Sequence, residues 1–298
     1  MTTELRRQLT PTDAVVVGIG SMVGAGVFAV WAPAANAAGT WLLLSLVIAG
    51  GVALCNATSS AQLAARHPES GGTYVYARER LSPFWGHVAG WGFIVGKTAS
   101  CAAMGLTAGL YIWPSQARLV ATAAVVLIAA INLGGLARTA FVTRAILGAT
   151  GLTLIIVVTS GWVQTRPRPV EQLSAISTNP YGVLQAAGLI FFAFAGYARI
   201  ATFGEEVINP ERTIPWAIPR ALGAVLLIYL TVAVVVRSSL TPEQISATSA
   251  PLSTIVEFSS LSRLAPAISI GAGLACFGVL LNLIPGVART ILALGRRA

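Results

Sequence analysis

The chain has 298 residues, of which 55% are hydrophobic and only 10% are charged, and its mean hydropathy is +0.77. This composition excludes a water-soluble domain of that size and indicates a lipid bilayer as its surroundings. The net charge of +9 comes from 19 basic residues that are spread over short gaps between apolar runs, so membrane topology explains the charge better than binding to nucleic acid does.

Eight apolar runs are long enough to cross a membrane as helices, which takes roughly 20 residues for a hydrocarbon core about 30 Å thick. The sequence predicts these spans at about 13–36, 41–65, 84–112, 117–135, 142–163, 181–204, 216–238 and 264–294.

The arginines between the spans predict the orientation. If the N-terminus is cytoplasmic, twelve arginines face inside: Arg6, Arg7, Arg66, Arg78, Arg80, Arg138, Arg144, Arg212, Arg220, Arg289, Arg296 and Arg297. Five then face outside: Arg118, Arg166, Arg168, Arg237 and Arg263. Because positive charge accumulates in cytoplasmic loops, we expect both termini to be cytoplasmic.

The middle of the first span is rich in glycine. Gly18, Gly20, Gly24 and Gly26 fall within nine residues. Each costs a helix roughly 1 kcal/mol relative to alanine and frees the backbone for other conformations. Interrupted membrane helices are tolerated where the freed backbone faces protein or a water-filled cavity, and they form the substrate and ion sites of transporters. This stretch therefore predicts a binding site at mid-membrane.

The loop between spans two and three, at 66–86, mixes aromatic and basic residues, which predicts an amphipathic segment at the membrane surface. Both a solvated connector with interfacial anchors and a gating segment fit this composition. Beyond the loop, Lys97 in span three and Arg199 in span six are the only basic residues placed well inside spans. Charges inside a membrane are candidates for function by default.

Span six carries an aromatic cluster around Gly196. Spans one and six are corresponding members of a five-plus-five inverted repeat, and an interrupted pair at those positions indicates a midplane binding site in a secondary transporter. The alternative is that Gly196 only allows close helix packing while the phenylalanines fill the bundle. Both interpretations remain open at this point.

Five motifs, taken together and in this order, resemble the amino acid permeases of the amino acid/polyamine/organocation superfamily. They are Gly-Ala-Gly-Val-Phe at 24–28, Ser-Gly-Gly-Thr-Tyr-Val-Tyr at 70–76, Phe-Ala-Phe-Ala-Gly-Tyr at 192–197, Glu-Glu-Val-Ile-Asn-Pro-Glu-Arg-Thr-Ile-Pro at 205–215 and Gly-Val-Ala-Arg-Thr at 286–290. The resemblance covers nearly the whole chain. It implies an all-α membrane protein with a leucine-transporter-like inverted repeat, and a secondary transporter of amino acids in the cytoplasmic membrane that works by proton symport or exchange.

The resemblance also implies roles for the interruption of span one. The substrate carboxylate would meet backbone N–H groups of Gly24, Ala25 and Gly26, and the α-ammonium would meet carbonyls near Met22 and Val23. Electrostatics agrees with this assignment, because a helix N-terminus attracts an anion and unwound carbonyls attract a cation.

In span six, the resemblance implies that carbonyls near Phe192 and Ala195 also receive the ammonium. Aromatic side chains beside Gly196 would line or close the pocket: Phe191, Phe192, Phe194 and Tyr197. No acidic residue lies near this interruption to select a cationic side chain, which favours a neutral amino acid.

The coupling group of the family does not carry over. Relatives that use an internal lysine for proton coupling carry it on span five, where this chain has Thr150. Lys97 is the alternative for coupling, or else a cation anchored to nearby carbonyls or reaching toward an interface. Arg199 is a gate, or it forms an ion pair with Glu205 or Glu206.

The number of spans is the second departure, since the family usually has twelve. The chain would be one transmembrane domain over 1–298, with a first repeat at about 13–163 and an incomplete second repeat at about 181–298, as in a C-terminally truncated permease. A non-transporting remnant or partner subunit is therefore the alternative function. It predicts insertion into the membrane without binding of an amino acid.

No enzyme, cofactor or metal site is expected. Gly18-Ile19-Gly20 lacks the spacing of a dinucleotide-binding loop, and Gly96-Lys97-Thr98 has Trp91 where a phosphate-binding loop needs glycine. The two histidines lack a neighbouring carboxylate in the spans, and Cys55, Cys101 and Cys276 lack metal-ligand spacing. The expected partners are an amino acid, protons and the lipid bilayer.

Overall fold

A computed structural model describes residues 9–67, 72–133, 136–164, 180–201 and 207–297. This part of the chain is helical, apart from one isolated bridge between Leu9 and Val207. The α-helices are α1 Pro11–Met22, α2 Ala25–Ala29, α3 Trp31–Ala38, α4 Leu42–Arg66, α5 Thr73–Arg80, α6 Pro83–Ile112, α7 Ala117–Leu133, α8 Leu136–Gln164, α9 Pro180–Phe194, α10 Ala198–Ala201, α11 Pro210–Ser239, α12 Pro242–Ala247, α13 Pro251–Glu257 and α14 Ala265–Arg297.

Eight helical stretches of the described residues are long and apolar enough to cross a membrane, which confirms the predicted all-α membrane protein with about eight spans. The predicted first run, 13–36, corresponds to α1 to α3, and the second run, 41–65, corresponds to α4. Gly39 separates these two runs with a φ of 55°, a conformation that glycine adopts without strain.

Local sequence sets the beginning of the first span. Thr10 accepts a hydrogen bond from the backbone of Asp13 (3.3 Å), and the Asp13 carboxylate accepts one from the backbone of Thr10 (3.2 Å). This capping box, with Pro11 in the first helical position, satisfies backbone donors that a helix start leaves without partners. Asp13 also pairs with Arg144 of α8 at 2.8 Å.

A fully buried aromatic cluster lies where α2, α3, α9 and α11 meet. Phe28, Trp31, Phe194 and Tyr229 are completely buried there. The rings of Trp31 and Tyr229 meet edge-on at 6.2 Å, and the rings of Phe194 and Tyr229 lie 4.9 Å apart. Aromatic pairs in such geometries add to the stabilisation that burial provides. Spans one and six therefore both contribute to this buried aromatic cluster.

The loop between spans two and three contains α5, a short helix packed on α6. Tyr74, Val75 and Tyr76 are buried, and Arg78 donates a hydrogen bond to the hydroxyl of Tyr74 at 3.0 Å. Burial raises the pKa of Tyr76. The described part of this loop is thus docked on the bundle through its tyrosines and is more than a solvated connector.

Candidate functional site

The first span is interrupted at Val23 and Gly24. Val23 has φ −78° and ψ 80°, and Gly24 donates a backbone hydrogen bond to the carbonyl of Met22 at 2.9 Å. These values describe an inverse γ-turn centred on Val23. Gly24 itself has φ −145° and ψ −139°, which is neither helical nor regular extended backbone, and α2 begins at the next residue. The interruption lies where the glycine-rich stretch predicted it.

Span six changes its helical type instead of breaking fully. After α9 ends at Phe194, residues Ala195–Tyr197 form a 3₁₀ turn, and α10 continues from Ala198. A 3₁₀ stretch in the middle of a helix narrows the backbone and often marks a hinge or a strained functional segment. Its position includes Gly196, the residue that the sequence placed at the interruption.

The two interruptions touch each other, backbone against backbone. A Cβ built on Gly196 would overlap the carbonyl of Ser21 and would stand 2.7 Å from the backbone nitrogen of Met22. A Cβ built on Gly26 would stand 2.6 Å from the Cβ of Ala193. Residues 21–26 and 193–197 therefore form one structural unit, which is called the junction below.

Tyr229 of α11 ties the two sides of the junction together. Its hydroxyl lies 2.8 Å from the carbonyl oxygen of Met22 and 3.0 Å from that of Ala193, so that one O–H is shared between the two. With the bond from Gly24, the Met22 carbonyl already has a donor for each of its two lone pairs. The ammonium role that the resemblance implies for this carbonyl would therefore require the present hydrogen bonds to change.

Two neighbouring cavities open at the junction. The first, called the Asn282 cavity, is lined by Ser21, Phe93, Lys97, Ala195, Gly196, Ala198, Val279, Asn282, Leu283 and Gly286. The second, called the Phe192 cavity, is lined by Ser21, Met22, Gly26, Lys97, Ser100, Met104, Phe192, Ala193, Ala195, Gly196, Val279 and Leu283. Both are mostly apolar with a few polar groups, as small-molecule sites usually are.

Lys97 lies at both cavities. Its half-buried side chain donates a hydrogen bond from Nζ to the carbonyl of Ala195 at 3.2 Å, and Nζ lies 5.8 Å from the centre of the Phe93 ring. The lysine thus reaches the carbonyl for which the resemblance implies a role in holding the substrate ammonium. Thr150, at the position where the resemblance implies a coupling lysine in some relatives, is 1% exposed and donates its hydroxyl to the carbonyl of Ile146 in its own helix.

Ser21 is a site residue that the sequence analysis did not identify. It is 8% exposed, lines both cavities, and its hydroxyl has no hydrogen-bond partner among the described residues. A buried polar group without a partner is costly and calls for a ligand, an ion or water. Asn282 lines one cavity and donates its side-chain amide to the carbonyl of Gly278 at 2.9 Å.

The aromatic residues of span six divide into two groups. Phe192 lines a cavity, as the resemblance implies. Phe194 is completely buried against Tyr229, and Tyr197 is 5% exposed in the core. Phe191 is half-buried and packs on the same core. Helical geometry explains this division, since Phe192 and Phe194 are two positions apart and therefore lie on opposite sides of the helix.

The remaining predicted residues lie as follows. Val23 and Gly24 are buried, and a Cβ on Gly24 would overlap the side chain of Val279 on α14. Ala25 is the first residue of α2, whose start has no side-chain cap. The side chain of Arg199 is outside the part of the chain that the structure describes, as are Glu205 and Glu206.

The N-terminus of α2 is better suited to an anion than a five-residue helix would be, because α2 continues into α3. Val30, between α2 and α3, is helical, and the hydrogen bonds from Val30 to Gly26 and from Ala34 to Val30 carry the helix through to Ala38. Pro33 has no N–H for the carbonyl of Ala29, which explains the local irregularity. The combined helix, from the start of α2 to the end of α3, presents its first N–H groups and the positive end of its dipole to the junction.

Comparison with known sequences gives one consistent result. The family described as amino acid permease matches residues 9–297. A protein named as an uncharacterized transporter of Mycobacterium tuberculosis is 54% identical over 293 residues, which are 98% of this chain and 67% of that protein. The branched-chain amino acid permease BcaP of Bacillus subtilis is 26% identical, over 98% of this chain and 68% of the permease. A vacuolar cationic amino acid transporter 4 of Arabidopsis thaliana is also 26% identical, over 98% of this chain and 53% of that transporter.

These matches confirm the resemblance that the five motifs indicated. With its apolar helices, the chain is a multi-pass membrane protein. It belongs to the amino acid permease family, a family of transporters and not of enzymes.

Proposed function

We propose that the chain is a secondary transporter of amino acids across the cytoplasmic membrane and that it binds its substrate at the junction. The observation that carries the proposal is the contact between two interrupted spans, Gly196 against Ser21 and Gly26 against Ala193, beside two cavities. Interrupted helix pairs at mid-membrane are the usual site of substrate binding in secondary transporters.

The two ends of the zwitterion have different partners in this proposal. The carboxylate meets the N–H groups at the start of α2, at Ala25 and Gly26, where the helix dipole favours an anion, while the N–H of Gly24 stays on the carbonyl of Met22. The ammonium meets carbonyls of the 3₁₀ segment, of which Ala195 lines both cavities. The carbonyl of Met22 serves as a support, since Tyr229 and Gly24 hold it.

The side chain of the substrate enters the Phe192 cavity. Phe192, Met22, Met104 and Leu283 make that lining largely apolar, which suits a neutral and apolar amino acid. The name of the Bacillus subtilis relative, a branched-chain amino acid permease, agrees with this choice. The cationic amino acid transporters among the relatives differ in the named substrate, so the family alone leaves the substrate class open.

Coupling and topology complete the proposal. Uptake is driven by proton symport or by exchange with another amino acid, Lys97 and Arg199 serve in coupling or gating, and both termini are cytoplasmic. The inverted repeat of 13–163 and 181–298 accounts for the correspondence of spans one and six.

The test is uptake into proteoliposomes that contain the purified protein. A panel of labelled amino acids is added with and without an inwardly directed proton gradient, and with and without unlabelled amino acids inside. Proton symport predicts uptake that requires the gradient, whereas exchange predicts uptake that requires internal amino acid. A correctly inserted protein that neither binds nor transports any of the panel would contradict the proposal and would favour a non-transporting remnant or partner subunit.

A further inference from the structure

Resting on the proposed function, we propose that the ε-ammonium of Lys97 and the α-ammonium of the substrate compete for the carbonyl of Ala195. Lys97 is then a specificity residue that opposes binding of the substrate, because the amino acid can bind only by displacing the Lys97 ammonium from this carbonyl.

The geometry at Ala195 carries the first step. Lys97 Nζ lies 3.2 Å from the Ala195 carbonyl oxygen, at the first residue of the 3₁₀ segment. Lys97 and Ala195 both line the Asn282 cavity and the Phe192 cavity. The ammonium of the lysine is thus at the site that the proposed function gives to the ammonium of the substrate.

Electrostatics makes the two occupants exclusive. Two ammonium groups within hydrogen-bonding distance of one oxygen would lie close enough to repel strongly in surroundings of low dielectric constant. The substrate ammonium can therefore reach this carbonyl only if Lys97 moves away. The ring of Phe93, 5.8 Å from Nζ, offers a nearby surface on which a displaced cation is stabilised.

The presence of a lysine at this position supports displacement of one ammonium by the other. Lys97 is the only lysine in the chain, and the other basic residues are all arginine. A lysine carries the same compact ammonium as an amino acid on a flexible stem, whereas an arginine holds its partners through a rigid planar fork. A group that imitates the substrate ammonium and then leaves is better built from lysine.

The competition has a consequence that a simple anion-binding lysine would not have. An amino acid brings its own ammonium and must displace Lys97. A des-amino carboxylate of the same shape has no ammonium, so Lys97 can stay in place and attract its carboxylate. Removing the lysine should therefore change the affinities for the two compounds in opposite directions.

The experiment measures equilibrium binding of L-leucine and 4-methylpentanoate to the purified full chain. The variants are Lys97→Met, which keeps an unbranched side chain without the charge, and Arg118→Met, which removes an exposed cation from the predicted outer side. We expect Lys97→Met to bind L-leucine about tenfold more tightly and 4-methylpentanoate about tenfold more weakly, as the gain or loss of one charged hydrogen bond implies. Arg118→Met should bind both as the wild type does.

Other outcomes overturn the proposal in distinguishable ways. Weaker binding of both compounds by Lys97→Met would make Lys97 only an anion-binding group. Unchanged binding of both would make it a structural cation. If neither compound bound to folded wild type or to either variant, the proposed function of an apolar substrate at the junction would fail first.

A second measurement does not depend on the folding of a variant. Reductive ¹³C-methylation of the wild type labels one lysine side chain, because Lys97 is the only one, together with the separately resolved N-terminal amine. Saturating L-leucine should shift the NMR signal of Lys97 with the dissociation constant of the binding curve. A signal that stays unchanged at saturation would contradict displacement of Lys97.

Discussion

Gly196 and Met22 face each other so closely that a Cβ on the glycine would stand 2.7 Å from the backbone nitrogen of Met22. This distance is shorter than real side chains tolerate, and the opposing atoms are backbone, which cannot rotate away. Gly196 therefore does allow close helix packing, as the alternative interpretation of this glycine predicted. The same close approach is also what brings the two interruptions to one place, so packing and site formation have a common cause.

The first prediction compares two glycines of span six. Gly196→Ala should destabilise the protein by about 1–3 kcal/mol, because the new methyl group overlaps backbone. Gly188→Ala is the matched control, since no atom beyond its chain neighbours and its own helix backbone lies within 4 Å of the added Cβ. It should be neutral or stabilising by about 0.5–1 kcal/mol, as alanine favours the helix. Thermal unfolding in detergent measures both, and equal effects would refute the described contact.

The second prediction concerns Tyr229, which holds the carbonyls of Met22 and Ala193. Tyr229→Phe keeps the ring contacts but leaves buried carbonyls with one donor fewer, at a cost of roughly 1–3 kcal/mol. We expect a lower unfolding temperature and weaker amino acid binding. Thr231→Val, which removes an exposed hydroxyl that bonds to Leu227 of the same helix α11, is the control and should leave both quantities nearly unchanged. Wild-type behaviour of Tyr229→Phe would mean that the shared hydroxyl does not support the site.

The third prediction concerns Phe192 and Phe194, which were both predicted from the sequence to line or close the pocket. Phe192→Ala enlarges the Phe192 cavity and should change which amino acids bind best, with preference shifting toward larger side chains. Phe194→Ala removes a fully buried ring and should destabilise the protein by about 3–5 kcal/mol. Competition binding and thermal unfolding are measured on both variants. The assignment would be wrong if Phe194→Ala altered selectivity and Phe192→Ala altered only stability.

The fourth prediction tests orientation. Leu81, 69% exposed between α5 and α6, is expected inside, and the exposed Ser115 between spans three and four is expected outside. Leu81→Cys and Ser115→Cys are made in a background without the three native cysteines. A membrane-impermeant maleimide added to intact cells should label Ser115→Cys and spare Leu81→Cys. Labelling of Leu81→Cys alone would reverse the proposed topology.

The sequence predicted the spans and the interruption of span one because both depend on local properties. Apolar runs of sufficient length leave a membrane helix little choice, since every backbone group must find its partner within the segment. The turn at Gly24 is determined by a short stretch of chain, so the glycines in that stretch were sufficient to predict the interruption. The milder change to a 3₁₀ turn at Ala195–Tyr197 was readable for the same reason.

The contacts between residues on different helices could not be predicted from the sequence. Tyr229 is the only tyrosine in span seven, and nothing in the sequence around it shows that its hydroxyl reaches the carbonyls of α1 and α9. Ser21 stood among glycines and gave no separate signal. The division between Phe192 and Phe194 depends on which helix face meets α11, and tertiary packing alone decides that.

The most direct test of the central claim is protection of residue 21 by substrate. Ser21→Cys, with Cys55, Cys101 and Cys276 replaced by alanine, puts a thiol at the wall shared by both cavities. The rate of its reaction with a small methanethiosulfonate reagent is measured with increasing amino acid, beside Leu81→Cys as control. If the junction binds the substrate, a transported amino acid will slow the reaction of Ser21→Cys saturably and leave Leu81→Cys unaffected. An amino acid that binds or is transported without any protection of Ser21→Cys would place the substrate elsewhere and contradict the account.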